Sequence, residues 1–127
     1  MRLLLDTHTT IWALGDPDRL GQSGRRLIED PENEILISSV VPWEMAIKIN
    51  SGKLPSHVLV TDFVSVMQRE SFTYLAIHPL HAIRSGLLPL HHRDPFDRLL
   101  AAQSLELGVP LISADEIFDR YGVERIW

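Results

Sequence analysis

The chain has 127 residues, 45% of them hydrophobic, no cysteine and a formal net charge of −5. That length suits one domain, residues 1–127, burying roughly two-thirds of its unfolded surface; the missing cysteine excludes disulfides and thiolate metal sites and suits a reducing, cytoplasmic setting. No apolar run approaches the roughly 20 residues of a membrane helix, the opening run meets Asp6 too soon for a secretory signal, and the acidic balance argues against a broad basic face for nucleic acid.

In chain order, Arg2 to Leu5 reads as a strand and Thr7 to Leu14 as a short helix. Gly15-Asp16-Pro17-Asp18 is a turn. A helix from Ser23 to Glu29 stops near Pro31, and Glu34 to Ser38 is a strand. The next helix runs from about Pro42 to Asn50, with Trp43, Ala46, Ile47 and Asn50 at i, i+3, i+4 and i+7, and ends at Ser51-Gly52. Val58 to Arg69 forms another, with Val60, Phe63, Val64 and Met67 on its apolar face. Thr73 to Ile77 is a strand, and Pro79 to Gly86 a short helix or turn. The best-patterned helix is Pro95 to Leu107, terminated by Gly108. A strand from Val109 to Ser113, a short helix from Asp115 to Tyr121 and a strand near Val123 to Ile126 complete the chain. Short apolar runs alternating with helical patterns point to an α/β fold with a parallel sheet.

In such sheets ligands bind beyond the carboxyl ends of the strands. Asp6, Glu44 and Asp115 follow three separate strands, so the topology delivers them to one edge. Asp94 and Asp97 open the helix that leads into the Asp115 strand and belong at that edge too. Close carboxylates raise one another's pKa unless a cation neutralises them. The cation that suits an all-oxygen donor set is Mg²⁺ or Mn²⁺. Each acid also has an ordinary structural explanation. Asp94 before Pro95 is an N-cap signature, and Asp97 favours the positive end of the helix dipole. Ser113 with Glu116 fits a capping box, leaving Asp115 a first-turn acid. Asp6 can cap the helix after the first strand, and Glu44 is i, i+4 to Lys48, as in a surface ion pair.

Among other polar residues, Lys48, Lys53, Arg93 and Arg98 lie near the acids in sequence and are candidates to hold phosphates, with surface charge balance as the rival reading. Thr7 and Ser113 can orient a water or a carboxylate through their hydroxyls, or cap helices. His8, His91 and His92 lack the H-E-x-x-H spacing of a zinc site and read as surface histidines or neighbours of the acids. Trp43 beside Glu44 could stack a base, but its place on the helical stripe predicts core packing, as for Trp12.

Four segments resemble the motifs of PIN-domain proteins, in order along the chain. Leu3-Leu4-Leu5-Asp6-Thr7-His8 is similar to the opening motif. Ile37 to Lys48, with Trp43-Glu44, is similar to the second. His92-Arg93-Asp94-Pro95-Phe96-Asp97-Arg98 and the residues to Gln103 resemble the third. Leu111-Ile112-Ser113-Ala114-Asp115, followed by Phe118 and Tyr121, resembles the fourth. The length suits the VapC-type toxins of bacterial toxin–antitoxin pairs. The resemblance implies a three-layer α/β/α fold around a mostly parallel sheet of four to five strands. It implies Mg²⁺-dependent cleavage of single-stranded RNA, with Asp6, Glu44, Asp97 and Asp115 as the metal-site acids and Asp94 as a fifth that varies in the family. It further implies a homodimer and a separately encoded VapB-type antitoxin.

Two other classes fit parts of this pattern. A degenerate PIN-like module would bind RNA or protein without cutting. An acid-cluster phosphoryl-transfer protein would need an aspartate nucleophile with supporting residues; the haloacid type begins Asp-x-Asp, where this chain has His8, and receiver domains need a late-strand lysine, where it has Ser113.

Overall fold

A computed structural model describes residues 1–55 and 62–127. These residues form five strands: β1 (Arg2–Leu5), β2 (Glu34–Ser38), β3 (Thr73–Leu75), β4 (Leu111–Ile112) and β5 (Arg125–Ile126). They make one sheet in the order β3-β2-β1-β4-β5, and every pairing is parallel. Leu4 sits at the centre of the register, opposite Leu36 on one side and Leu111 on the other.

Among the described residues six helices connect the strands: α1 (Thr7–Gly15), α2 (Gln22–Glu29), α3 (Val40–Asn50), α4 (Phe63–Arg69), α5 (Pro79–Leu87) and α6 (Pro95–Leu107). Two 3₁₀ turns, Pro17–Arg19 and Glu116–Tyr121, complete the elements. Local chemistry accounts for several boundaries. Asp94 caps α6 with Pro95 at its first position, and Gly108 ends it at φ 64°, a left-handed value that suits glycine. Gly52 plays the same part after α3, at φ 76°.

Side chains alternate across a strand, and the core divides accordingly. Leu4, Leu36 and Leu111 pack on one face with Leu100, Val109 and Phe118. Leu3, Leu5, Ile35, Ile37 and Ile112 pack on the other with Val41, Met45, Phe63 and Met67. The three-layer α/β/α architecture follows from this two-sided burial. On the second face α2 approaches closely at Gly24, where an added Cβ would lie 2.7 Å from the Ile112 side chain.

Two helical faces differ from the sequence expectation. In α3 the buried residues are Val40, Val41, Glu44 and Met45, whereas Trp43, Ala46, Ile47 and Asn50 face outward. The more apolar stripe faces outward, and the inward face of this helix carries a glutamate. In α4 the inward residues are Phe63, Val66 and Met67, and Val64 is exposed. The expected start of that helix at Val58, and Val60 on its face, lie outside the described residues. The strand expected to reach Ile77 ends at Leu75.

The chain proceeds from β1 through β2 to β3 on one side and then crosses to β4 and β5 on the other. The direction of winding therefore reverses between β1 and β4, the place where open parallel sheets bind ligands. Asp6 follows β1 and Ser113 follows β4. Because α6 feeds β4 from the opposite direction, its first turn reaches the same edge.

Candidate metal centre

Asp6 is 6% exposed. It caps α1: Oδ1 accepts the Thr9 N–H at 2.8 Å. Its Oδ2 accepts a short hydrogen bond from the Ser113 hydroxyl. Burial pushes the Asp6 carboxyl above its ordinary value, against the lowering effect of these hydrogen bonds. Ser113 Oγ also accepts the Asp115 N–H at 3.0 Å, so one hydroxyl ties the end of β4 to the carboxylate at the end of β1. Asp115 caps the 3₁₀ turn, its Oδ1 accepting the Ile117 N–H at 3.0 Å, and is exposed. The expected capping box of Ser113 with Glu116 is therefore corrected: Asp115 is the cap, and the Ser113 hydroxyl turns toward Asp6.

Glu44 is 2% exposed on the inward face of α3. Its Oε1 accepts the Thr7 hydroxyl at 2.6 Å, and its Oε2 pairs with the Lys48 ammonium one turn on. The i, i+4 pair is thus formed with a buried acid, which is not the surface pair that spacing alone suggested. Burial would lower the Lys48 pKa, but Glu44, with Asp94 and Asp97 behind it, holds it above the ordinary value. The ammonium stands as a resident cation among the acids.

At the start of α6, Asp94 Oδ1 accepts the N–H groups of Phe96 and Asp97 at 2.8 and 3.2 Å. Asp97 Oδ2 lies 2.8 Å from His92 Nε2. Burial pushes the Asp97 carboxyl up to about 6, against the pull of His92, and the charges of Asp94, Glu44 and Asp6 push in the same direction. The charges of Asp6, Glu44 and Asp94 thus reach Asp97 although the four acids come from the end of β1, from α3 and from the start of α6. Among the described residues, His92, Asp94 and Asp97 are the one set that could hold a metal ion, each offering a ligand atom within 4.8 Å of the others. No spacing in the sequence distinguished His92, whose ring meets Asp97 across the start of α6.

The remaining expectations divide. Thr7 and Ser113 orient carboxylates and are buried, so neither hydroxyl faces solvent for a substrate. Lys48 is held by Glu44. Arg93 is exposed, and among the described residues it forms no ion pair. Arg98, expected to hold phosphate, is 8% exposed and donates to main-chain carbonyls instead. The helix turns it inward, one residue past Asp97. Trp43, expected in the core, is 51% exposed and packs edge-on to Phe96 with ring centroids 4.9 Å apart. Trp12 is half-buried between His8 and Trp127.

The donor set fits a hard divalent cation. His92, Asp94 and Asp97 bring one imidazole and two carboxylates together, and the charges of Glu44 and Asp6 act on Asp97 in the direction that favours a bound positive charge. Protein groups with such oriented ligands can hold an anionic phosphodiester against a cation.

The sequence pattern of the PIN domain family matches residues 3–124. Ribonuclease VapC22 of Mycobacterium tuberculosis (strain ATCC 25618 / H37Rv) is 26% identical over 114 residues, covering 89% of this chain and 86% of that protein. The fold is similar to that in VapBC2 from Rickettsia felis bound to a DNA fragment from its promoter, with TM-score 0.70 and 15% identity over 100% of this chain and 99% of that one. It is equally similar to DNA-bound VapBC from Salmonella typhimurium, with TM-score 0.70 and 18% identity over 99% and 97% of the two chains. The matched span includes every acid described above, and on that ground this chain belongs to the PIN domain family and is related to the VapC-type toxins.

Proposed function

We propose that the protein is a metal-dependent endoribonuclease, the VapC-type toxin of a toxin–antitoxin pair, acting in the cytoplasm. The observation that carries this reading is the shared acid environment: two almost fully buried carboxylates, Asp6 and Glu44, whose charges act on a third, Asp97. Structural capping accounts for Asp94 and for one oxygen of Asp6, but gives no reason to bury Glu44 or to bring it near Asp97. A site for Mg²⁺ or Mn²⁺ does.

In this reading Asp6, Glu44, Asp97 and Asp115 are the metal-site acids, with Asp94 beside them. When bound, the cation lowers the pKa of water and stabilises charge on the phosphorus centre and the leaving oxygen. The chain does the rest. Thr7 and Ser113 fix the Glu44 and Asp6 carboxylates, so little rearrangement is needed on loading. Lys48 balances Glu44 and offers a positive charge to an RNA phosphate beside the acids, with Arg93 at the surface.

The relatives support the partner assignment. The similar folds occur in VapBC assemblies. On this chain α5 leaves Leu80, Ile83 and Leu87 exposed, Leu87 by 80%, along a groove of about 440 Å³ that Glu106 also lines. An apolar surface of that kind suits a second copy of the chain or the folding tail of a VapB-type antitoxin.

The test is cleavage of a structured RNA by purified protein. Cleavage should require Mg²⁺ or Mn²⁺, stop with EDTA and disappear in Asp97→Asn. Cleavage that persists in EDTA, or in the variant, overturns the proposal.

A further inference from the structure

Arg98 follows Asp97 directly on α6, yet it faces away from solvent. Its guanidinium donates to the carbonyls of Ser85, Leu88 and Pro89, each at 2.9 Å, and to that of His92 at 3.4 Å. Ser85 lies in the last turn of α5, where the dipole favours a cation, and its carbonyl also accepts the Leu88 N–H at 3.4 Å. Leu88, Pro89 and His92 belong to the connection between α5 and α6. One planar cation therefore gathers that whole connection. Tyr121, from the far end of the chain, closes it: the phenol oxygen accepts the His92 N–H at 2.9 Å and an Arg98 N–H at 3.3 Å. Both polar backbone groups of His92 are thus fixed, the N–H by Tyr121 and the carbonyl by Arg98. What is left to His92 is its ring, and Nε2 meets Asp97 Oδ2 at 2.8 Å.

We infer that His92 is a positioning residue for Asp97, and that the Arg98–Tyr121 clamp exists to set its ring. Holding the connection in place requires the backbone bonds alone; it does not require an imidazole on an acid of the pocket. The ring fixes Oδ2 and leaves Oδ1, which accepts no hydrogen bond among the described residues, for a cation. An aspartate with one oxygen fixed has a single presentation to a metal, and partners of this kind commonly change metal affinity by about 10–100-fold when removed. The inference rests on the metal-site reading above.

The experiment is a Mn²⁺ titration, with free ion followed by electron paramagnetic resonance and thermal midpoints recorded on the same samples without metal. Arg98 is unsuitable as the probe, because its removal strips four carbonyls of a donor. His92→Ala should bind Mn²⁺ about tenfold more weakly. His92→Gln, whose amide N–H can take the place of Nε2, should recover most of that loss. Tyr121→Phe should weaken binding in the same direction, by less. The double variant His92→Ala/Tyr121→Phe should bind no more weakly than His92→Ala, since Tyr121 acts through the ring. Additive losses, or a His92→Ala variant that binds Mn²⁺ like the wild type while Asp97→Asn does not, would overturn the inference and leave the metal site standing. A wild-type protein that binds no Mn²⁺ overturns both.

Discussion

The Thr7 hydroxyl donates to Glu44 Oε1 at 2.6 Å across 37 residues of sequence. This contact joins the first residue of α1 to the inward face of α3 at the carboxyl edge of the sheet. It holds a buried carboxylate whose other oxygen is paired with Lys48. Substituting Thr7→Val keeps the shape and removes the donor. Loss of a hydrogen bond to a charged group costs about 1.5–3 kcal/mol, so the thermal midpoint should fall and Mn²⁺ affinity with it. An unchanged midpoint would mean that Glu44 is held by Lys48 alone.

Asp6→Asn and Asp97→Asn each remove a charge while keeping size. RNA cleavage should drop by orders of magnitude in both. Stability should hold or rise, because repulsion falls and asparagine can still cap α1 from position 6. If the acids only cap helices, the midpoint drops and metal-dependent cleavage continues; measuring both on the same variants separates the outcomes.

The pH dependence has a definite sign. Asp97 titrates at about 6 in the fold, against an ordinary 3.8. Between those values the native state holds a proton that the unfolded chain has released. Metal-free stability should therefore decline as pH rises from about 4 to 6, by on the order of 2–3 kcal/mol. Asp6, raised in the same direction by burial, adds to the decline. Mn²⁺ binds the ionised site, so the midpoint gained on adding it should grow through pH 6. Denaturation of Asp97→Asn across this range should show a shallower slope; an identical slope would place the titration elsewhere.

Arg98→Lys replaces a five-donor fork by a single ammonium. It cannot reach carbonyls at residues 85, 88, 89 and 92 together. The Ser85 and Pro89 carbonyls also accept the Leu88 and His91 N–H groups, but those of Leu88 and His92 would be left without a partner; each such acceptor costs about 1–3 kcal/mol, so chemical denaturation should show a loss of at least about 2 kcal/mol. A phosphate-binding arginine at the surface would instead leave stability unchanged.

Trp43→Ala offers the contrasting case. Its ring is half exposed and touches Phe96 edge-on, a contact worth about 0.5–1.5 kcal/mol beyond its buried area. Met45→Ala, on the buried side of the same helix, should cost about 2–5 kcal/mol. The ratio of the two losses, read from urea midpoints, checks which face of α3 is inside.

Much of the fold was legible from local chemistry. The apolar runs of β1 and β2 marked both strands to the residue, because strands buried on both faces need unbroken apolar sequence. Asp94-Pro95 and Gly108 marked the ends of α6, because capping and left-handed backbone depend on the residues at those positions. The delivery of Asp6 and Asp115 to one edge followed from parallel order. Tertiary structure alone decided which side of α3 faces in. The most apolar stripe is normally buried, but here Glu44 lies inward, bonded to Thr7 and Lys48, and Trp43 is turned out. It likewise decided that Arg98 faces inward as a clamp and that His92 meets Asp97. Those roles depend on carbonyls and a phenol brought from residues 85 to 121, and no pattern within one helix encodes where such distant acceptors will lie.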